Sequence, residues 1–268
     1  MSMADEATAR QIATNWRDVS REVAEAASAV GRSPRDVRIV GVTKYVDATA
    51  AAALYHAGCH DLAENRPQAL WEKAGSGLIG GEARWHLIGH LQSNKVRRTL
   101  RHRPLIHSVD SERILAAIAD EAVRQGIAVP VLLELNVSGD ASKTGMAADD
   151  IRRLVGEWDR FATGTTRANP PAPEPDQRTP SDGDPAGERQ GPPGVVLRGL
   201  MAMAGLESEA GEVRRQFAAV RELRDRLERE TGLAMPELSI GMSGDFVEAI
   251  AEGATMIRVG TRLFRAAR

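Results

Sequence analysis

Cysteine is nearly absent from this 268-residue sequence: Cys59 stands alone. A single thiol excludes an internal disulfide framework and suits a reducing compartment. No window of about 18 apolar residues occurs, so no membrane-spanning helix is read. The opening Met-Ser-Met-Ala-Asp-Glu lacks a basic stretch followed by an apolar one, so no secretion signal is read and a cytoplasmic protein is expected. Neither sign of charge dominates: 35 basic and 37 acidic side chains leave −2. A general basic field for nucleic acid is therefore missing. The phosphate loop GxxxxGK(S/T), the zinc motif HExxH and CxxC are missing too. Aromatics make up 4%, with tyrosine only at positions 45 and 55. Lysine is scarce as well, at four of the 35 basic residues.

What is present is alternation. Ile12, Trp16, Val19, Val23, Ala27 and Val30 fall at three- and four-residue steps, which predicts an amphipathic N-terminal helix stopped by Gly31, with a turn at Ser33-Pro34. Short apolar runs then recur. They predict strands at Arg38–Lys44, Asp61–Asn65, Trp85–Gly89, Leu105–Val109, Val131–Val137, Val196–Ala202, Glu237–Gly241 and Met256–Gly260. Helical spacing lies between them at Ala48–Ala57, at Ser111–Gln125 with a Ser N-cap and a stop at Gly126, and at Glu207–Glu230 with Gly232 beyond its end. Strands alternating with helices make a parallel sheet of an α/β protein. Eight strands favour a (β/α)8 TIM barrel with an extra N-terminal helix, over an open doubly wound sheet.

One stretch breaks the pattern. Thr163–Gly194 holds eight of the thirteen prolines and no large apolar residue, so it cannot bury enough surface to offset the entropy of ordering. It reads as a disordered Pro-rich insertion in a single barrel domain spanning 1–268, a spacer rather than a recognition segment.

Lys44 closes the apolar run Arg38-Ile-Val-Gly-Val-Thr-Lys44, placing an amine at the C-terminal edge of a predicted strand. That edge is where barrels and open α/β sheets keep their chemistry. A part-buried amine there can attack a carbonyl and form a Schiff base. A strand-end lysine reaching for water is the plain alternative. The far end of the chain adds Met242-Ser243-Gly244, with Asp245 opening a short helix, and Gly260-Thr261 after the last strand. Small residues there let the backbone approach an anion, and the loops after barrel strands seven and eight commonly cradle phosphate. Arg258 lies in an apolar strand on the same face as Gly260 and needs an acceptor. It would either pair with Glu64 or Glu134, or contact a bound heterocycle. A phosphate site, an amine and an arginine in one barrel mouth suggest pyridoxal 5′-phosphate.

Other residues read plainly. His107, Ser108 and Asp110 have the spacing of a strand leading into a helix cap, not of a catalytic triad. Cys59 reads as structural, and His56 and His60 lack a third ligand for a metal. Trp16, Trp71, Trp85 and Trp158 read as packing residues.

The chain resembles the YggS-type pyridoxal phosphate homeostasis protein family, which shares its barrel with the N-terminal domain of alanine racemase. The blocks that carry the resemblance are Val42-Thr-Lys44, Ala63-Glu-Asn65, Trp85-His-Leu-Ile-Gly89, Leu91-Gln-Ser-Asn-Lys95, Asn136-Val-Ser138 and Ser142-Lys-Thr-Gly145. Further on come Arg198-Gly-Leu-Met201, Leu238-Ser-Ile-Gly-Met-Ser243 and Met256-Ile-Arg-Val-Gly-Thr261. They run in order over nearly the whole chain except the insertion. The resemblance implies a cofactor held on Lys44 as a Schiff base. Its phosphate would bind at Ser243, Gly244, Gly260 and Thr261, its pyridine nitrogen would face Arg258, and its ring hydroxyl would lie near Asn65. His86, Met201, Met242 and Lys143 would line the pocket or its rim. A guanidinium opposite the ring nitrogen keeps that nitrogen neutral and the ring a poor electron sink, which favours holding the cofactor over turnover.

The sequence departs from the family pattern at Ala63 (usually Gly), at Arg66-Pro67, at His90 (usually Pro) and in the insertion. The expected function is cofactor and amino-acid homeostasis by a monomer, with apo-enzymes that use the cofactor as candidate partners. A racemase is the rival. It needs a second acid/base on the opposite face, supplied in alanine racemase by a tyrosine of a C-terminal β domain. The sequence ends at Arg268, seven residues after Thr261, and Tyr45, next along a strand, should point away from Lys44. A cofactor-free Schiff-base aldolase is the third reading.

Overall fold

In a computed structural model that describes residues 3–137, 144–162, 193–205 and 209–266, eight parallel strands close in sequence order into a barrel. They are β1 (Arg38–Val42), β2 (Asp61–Glu64), β3 (Arg84–Leu87), β4 (Leu105–Val109), β5 (Ala128–Leu135), β6 (Gly194–Ala202), β7 (Glu237–Met242) and β8 (Met256–Val259). Closure comes from β1 on β8, with Arg38 opposite Met256 and Gly41 opposite Val259. The helices are α1 (Met3–Ala29), α2 (Ala48–His56), α3 (Pro67–Ala74), α4 (Ser93–Leu100), α5 (Glu112–Gln125), α6 (Ala148–Gly156), α7 (Ala210–Thr231) and α8 (Phe246–Ala251). The expected TIM barrel with an added N-terminal helix is what the chain forms.

Each long helix follows from its sequence. α1 buries Ile12, Val19, Val23 and Ala27 against α2 and α8. Asn15 Nδ2 also donates to the carbonyls of Leu263 (3.0 Å) and Arg265 (2.9 Å), tying the last turn to α1. α7 buries Val213, Phe217, Val220, Leu223 and Leu227, the stripe that the sequence spacing predicts. α5 and α7 both end on a left-handed glycine, Gly126 and Gly232. Ser111 does occupy the N-cap of α5, but its hydroxyl donates to Asp110 Oδ1 and caps no backbone amide.

Several boundaries differ from the sequence reading. β1 stops at Val42, so Lys44 and Tyr45 stand in the turn that follows. Two residues in a turn no longer alternate in direction, and the expectation that Tyr45 points away from Lys44 fails: Lys44 Nζ lies 4.7 Å from the centre of the Tyr45 ring. Lys44 is exposed rather than part-buried. β5 starts at Ala128 and β6 at Gly194, since Ala128 pairs with Gly194 and the Gly194 amide donates to Ile127 O. Gly194 thus belongs to the barrel and not to the insertion; residues 163–192 lie outside the described residues. No helix among the described residues is long and apolar enough to cross a membrane.

Two layers of core result. The larger fills the space between strands and helices, from Leu54, Leu62 and Leu70 round to Phe217 and Ile250. The smaller lies inside the barrel: Val40, Val42, Ala63, Leu132, Met201 and Met256. Barrel interiors are usually filled with branched apolar side chains. This one also encloses Asp61, His86, His107, Glu134, Ser239 and Arg258.

Candidate functional site in the barrel mouth

The mouth is the C-terminal end of the strands. Ring closure brings β7, β8 and β1 side by side there: Met242 pairs with Arg258, and Gly41 with Val259. A Cβ on Gly260 would stand 3.2 Å from Val42 O and 3.3 Å from Val42 Cβ. A side chain would crowd this corner, so glycine lets the turn after β8 lie against the end of β1. Two residues past Val42 comes Lys44. The fold therefore puts Lys44, Met242, Ser243, Gly244, Arg258, Gly260 and Thr261 at one corner of the mouth. Asn65 follows β2 next door. A Cβ on Gly89 would fall 2.2 Å from Asn65 O, so only glycine allows the ends of β2 and β3 to meet this closely.

Ser243 is half-buried, while Gly244 and Thr261 are exposed. The Ser243, Gly244 and Thr261 amides find no acceptor among the described residues. The Met242 amide is taken: it donates to Asp245 Oδ1 at 2.5 Å, which shapes the turn. Such a run of free N–H groups suits an anion.

Arg258 is 4% exposed and makes neither ion pair considered from the sequence. Its Nη1 donates to Ser239 O (2.6 Å) and Ser239 Oγ (2.7 Å), and its Nη2 to Ala202 O (3.0 Å). Glu64 pairs with Lys73 instead, and Glu134 accepts from Thr144 Oγ1 at 2.5 Å. Burial lowers the guanidinium to about 10, opposed by the charges of Asp245 and Glu134. It remains a cation at neutral pH, buried without a carboxylate in contact. Burial pushes the Glu134 carboxyl up from its ordinary range, against the Thr144 hydrogen bond. A buried cation backed only by carbonyls and a hydroxyl still calls for a further acceptor, which a ligand in the mouth can supply.

His86 and Met201 lie deeper than the sequence reading implied. Met201 is 1% exposed in the interior cluster. His86 has both ring nitrogens engaged, Nδ1 with His107 Nε2 (2.8 Å) and Nε2 with Asp61 Oδ1 (3.0 Å). Lys143 lies outside the described residues. His90, standing where the family pattern has proline, pairs with Asp110 at 2.7 Å across the ends of β3 and β4.

Behind Lys44 lies a cluster that sequence reasoning missed. Lys73 Nζ donates to Glu64 Oε1 (2.5 Å) and to Thr43 O (2.7 Å), and Thr43 Oγ1 donates to Glu64 Oε1 (2.6 Å). Glu64 is fully buried, and its Oε2 has no partner. The cluster pins the residue before Lys44. Lys73 carried one signal, being one of only four lysines, but no helix was read around it from the sequence.

The plain readings also find their places. Cys59 is buried, and burial pushes its thiol up to about 12. His107 turns inward, while Ser108 Oγ donates to Gly89 O. Trp71 packs under Arg98 and donates to Thr99 Oγ1. Among the described residues no group of three His, Cys, Asp or Glu could hold a metal. Two surface hollows elsewhere, of about 570 Å³ between α4 and α5 and about 270 Å³ beside α1, involve neither Lys44 nor Arg258.

The sequence matches the alanine racemase N-terminal domain family over residues 10–165 and 185–267. It is 36% identical over 244 residues to the pyridoxal phosphate homeostasis protein of Deinococcus radiodurans, covering 90% of this chain and 95% of that one. Identity to the protein of that name from Aquifex aeolicus is 32% over 246 residues, or 92% and 94% of the two chains. The structure of PipY from Synechococcus elongatus with pyridoxal phosphate bound superposes with a TM-score of 0.71 at 31% identity, over 91% of this chain and all of PipY. The chain belongs to the pyridoxal phosphate homeostasis protein family, built on the alanine racemase N-terminal domain.

Proposed function

We propose that the chain binds pyridoxal 5′-phosphate in the barrel mouth through a Schiff base on Lys44, and serves intracellular homeostasis of that cofactor and of amino acids without established turnover. The observation that carries this reading is Arg258: a buried cation at the inner edge of the mouth, with no carboxylate in contact, on the strand that ends in Gly260-Thr261. The names of the relatives and the bound ligand of PipY point the same way.

Each residue has a task in this account. Ser243, Gly244, Gly260 and Thr261 offer amides and hydroxyls to the phosphate. Arg258 donates to the ring nitrogen. Asn65 stands by the ring hydroxyl, and Met242 and Met201 close the wall and base, with His86 below them. The cofactor, when bound, supplies an aldehyde that captures amines. Because the guanidinium stays protonated, it has no proton-accepting state to offer the ring nitrogen, which keeps the ring a weak electron sink.

The visible absorbance of the purified protein with added pyridoxal 5′-phosphate, beside Lys44→Ala, tests the reading. A Schiff-base band in the parent and its loss in the variant are expected. Absence of a band in the parent would refute it in favour of a cofactor-free barrel.

Weak racemase chemistry is a second reading, favoured by one observation: the Tyr45 ring lies against the Lys44 amine. Two-base racemisation needs its bases on opposite faces of the substrate. Tyr45 shares a turn with Lys44, so exchange of the alanine Cα proton in heavy water is expected to stay at background.

A further inference from the structure

A row of polar side chains crosses the barrel interior beneath the mouth. At the floor, where strands begin, Arg84 Nε and Nη2 donate to Asp61 Oδ1 (2.9 Å) and Oδ2 (2.6 Å). From Asp61 Oδ1 the row runs to His86 Nε2 (3.0 Å), and from His86 Nδ1 to His107 Nε2 (2.8 Å). It continues from His107 Nδ1 to Ser239 Oγ (2.9 Å), which accepts from Arg258 Nη1 (2.7 Å). His86, His107, Ser239 and Arg258 are all buried, while Arg84 reaches solvent.

The two ends fix the direction of every hydrogen bond. A guanidinium can only donate, and an ionised carboxylate can only accept. Burial alone would raise the Asp61 carboxyl, but the hydrogen bonds from Arg84 and His86 outweigh it and hold it well below the usual carboxylate range. Starting from Asp61, His86 must carry its proton on Nε2. Its Nδ1 then accepts from His107 Nε2–H, which leaves His107 Nδ1 to accept from the Ser239 hydroxyl. Ser239 Oγ in turn accepts from Arg258. All four bonds from Arg258 to Asp61 point the same way, and both imidazoles are neutral. Burial also drives His107 well below its ordinary value, in keeping with that order. The opposite order, with His86 cationic, would leave the Ser239 hydroxyl proton without an acceptor among its contacts. It would also add a second cation to a barrel that already buries Arg258.

We infer that Asp61, His86, His107 and Ser239 form a one-way hydrogen-bond relay that makes them positioning residues for Arg258, fixing the pose of the guanidinium and lending it the negative charge of Asp61 from the far side of the barrel. Successive hydrogen bonds in a dry interior polarise one another, so part of the counter-charge reaches Arg258 without a carboxylate standing in the mouth. A carboxylate in direct contact would instead compete for the N–H groups that face the ligand. The inference rests on the proposed contact between Arg258 and the heterocycle.

Two measurements decide it. The first needs neither variant nor ligand: side-chain ¹⁵N NMR of the histidines in the purified protein. His86 and His107 are expected to be neutral, each with its proton on Nε2. A proton on Nδ1 of either ring, or a doubly protonated His86, overturns the relay. The second compares Ser239→Ala and Ser239→Thr with the parent, after circular dichroism has shown both variants folded. Ser239→Ala is expected to bind pyridoxal 5′-phosphate about tenfold more weakly, with a shifted visible band, and Ser239→Thr to restore both. Parent-like affinity and spectrum in Ser239→Ala would reduce the row to packing. If the parent itself forms no band, the cofactor reading falls and the positioning role falls with it; if the parent binds and either test fails, only the relay falls.

Discussion

Replacing Lys73 by methionine tests whether the cluster behind Lys44 holds the end of β1. The substitution removes the one cation in contact with Glu64 among the described residues. The carboxylate is fully buried, Thr43 Oγ1 is its remaining donor, and Oε2 already lacks a partner. Removing one member of a buried pair leaves an uncompensated charge at a cost of about 3–5 kcal/mol. In a chain of this size each 1 kcal/mol moves the melting temperature by about 2–4 °C, so Lys73→Met should melt about 6–20 °C below the parent. Thermal unfolding by far-UV circular dichroism at neutral pH reads this directly. Adding Glu64→Leu removes the stranded charge as well and should recover most of the loss. Lys73 also donates to Thr43 O, so the single variant should bind pyridoxal 5′-phosphate more weakly even where it is fully folded. A melting temperature within about 3 °C of the parent would refute the reasoning, because it would mean that the pair contributes less than about 1 kcal/mol.

Two further predictions rest on burial. Cys59, with its thiol pushed up to about 12, should not react with an aromatic disulfide reagent in the native protein and should titrate as one thiol in denaturant. His107 is held neutral in the folded state well below its ordinary value, chiefly by burial, whereas the unfolded chain protonates it at about pH 6.5. Below that pH the unfolded state binds the extra proton, so stability is present above it and is lost as pH falls, by up to about 1.4 kcal/mol per unit. Denaturant titrations at pH 7.5 and 5.5 should show this loss in the parent and a smaller one in His107→Gln; equal losses would sink the assignment.

Most of the barrel was legible because α/β alternation leaves a strong periodic signal. All eight strands and the closing of β8 on β1 lie where the apolar runs placed them. Strand ends were less legible. The run through Thr43 to Lys44 stays apolar until its last residues, and nothing in it marks Val42 as the last residue of the ladder. That single boundary turned Tyr45 from a residue pointing away from Lys44 into one stacked beside its amine. The motif at Gly260-Thr261 and the inward parity of Arg258 survive such shifts, because they depend on local turn chemistry and on alternation.

The interior relay was hidden for a different reason. Asp61, His86, His107 and Ser239 each share the inward parity of their strands, but they are contributed by four strands, and only the closed ring brings them into contact. His107 beside Ser108 and Asp110 suggested a strand leading into a helix cap, but Ser108 Oγ donates to Gly89 O and Asp110 accepts from Ser111 Oγ, so neither caps a backbone amide of α5. Likewise Glu64 and Lys73 are nine positions apart, joined by folding α3 back on β2 rather than by any periodicity.

The central claim is that Lys44, among four lysines, carries the cofactor. Borohydride reduction of the protein with pyridoxal 5′-phosphate, followed by peptide mass mapping, tests it most directly. The account predicts a stable phosphopyridoxyl adduct on the peptide holding Lys44; an adduct on Lys73, Lys95 or Lys143 instead, or none, would contradict it.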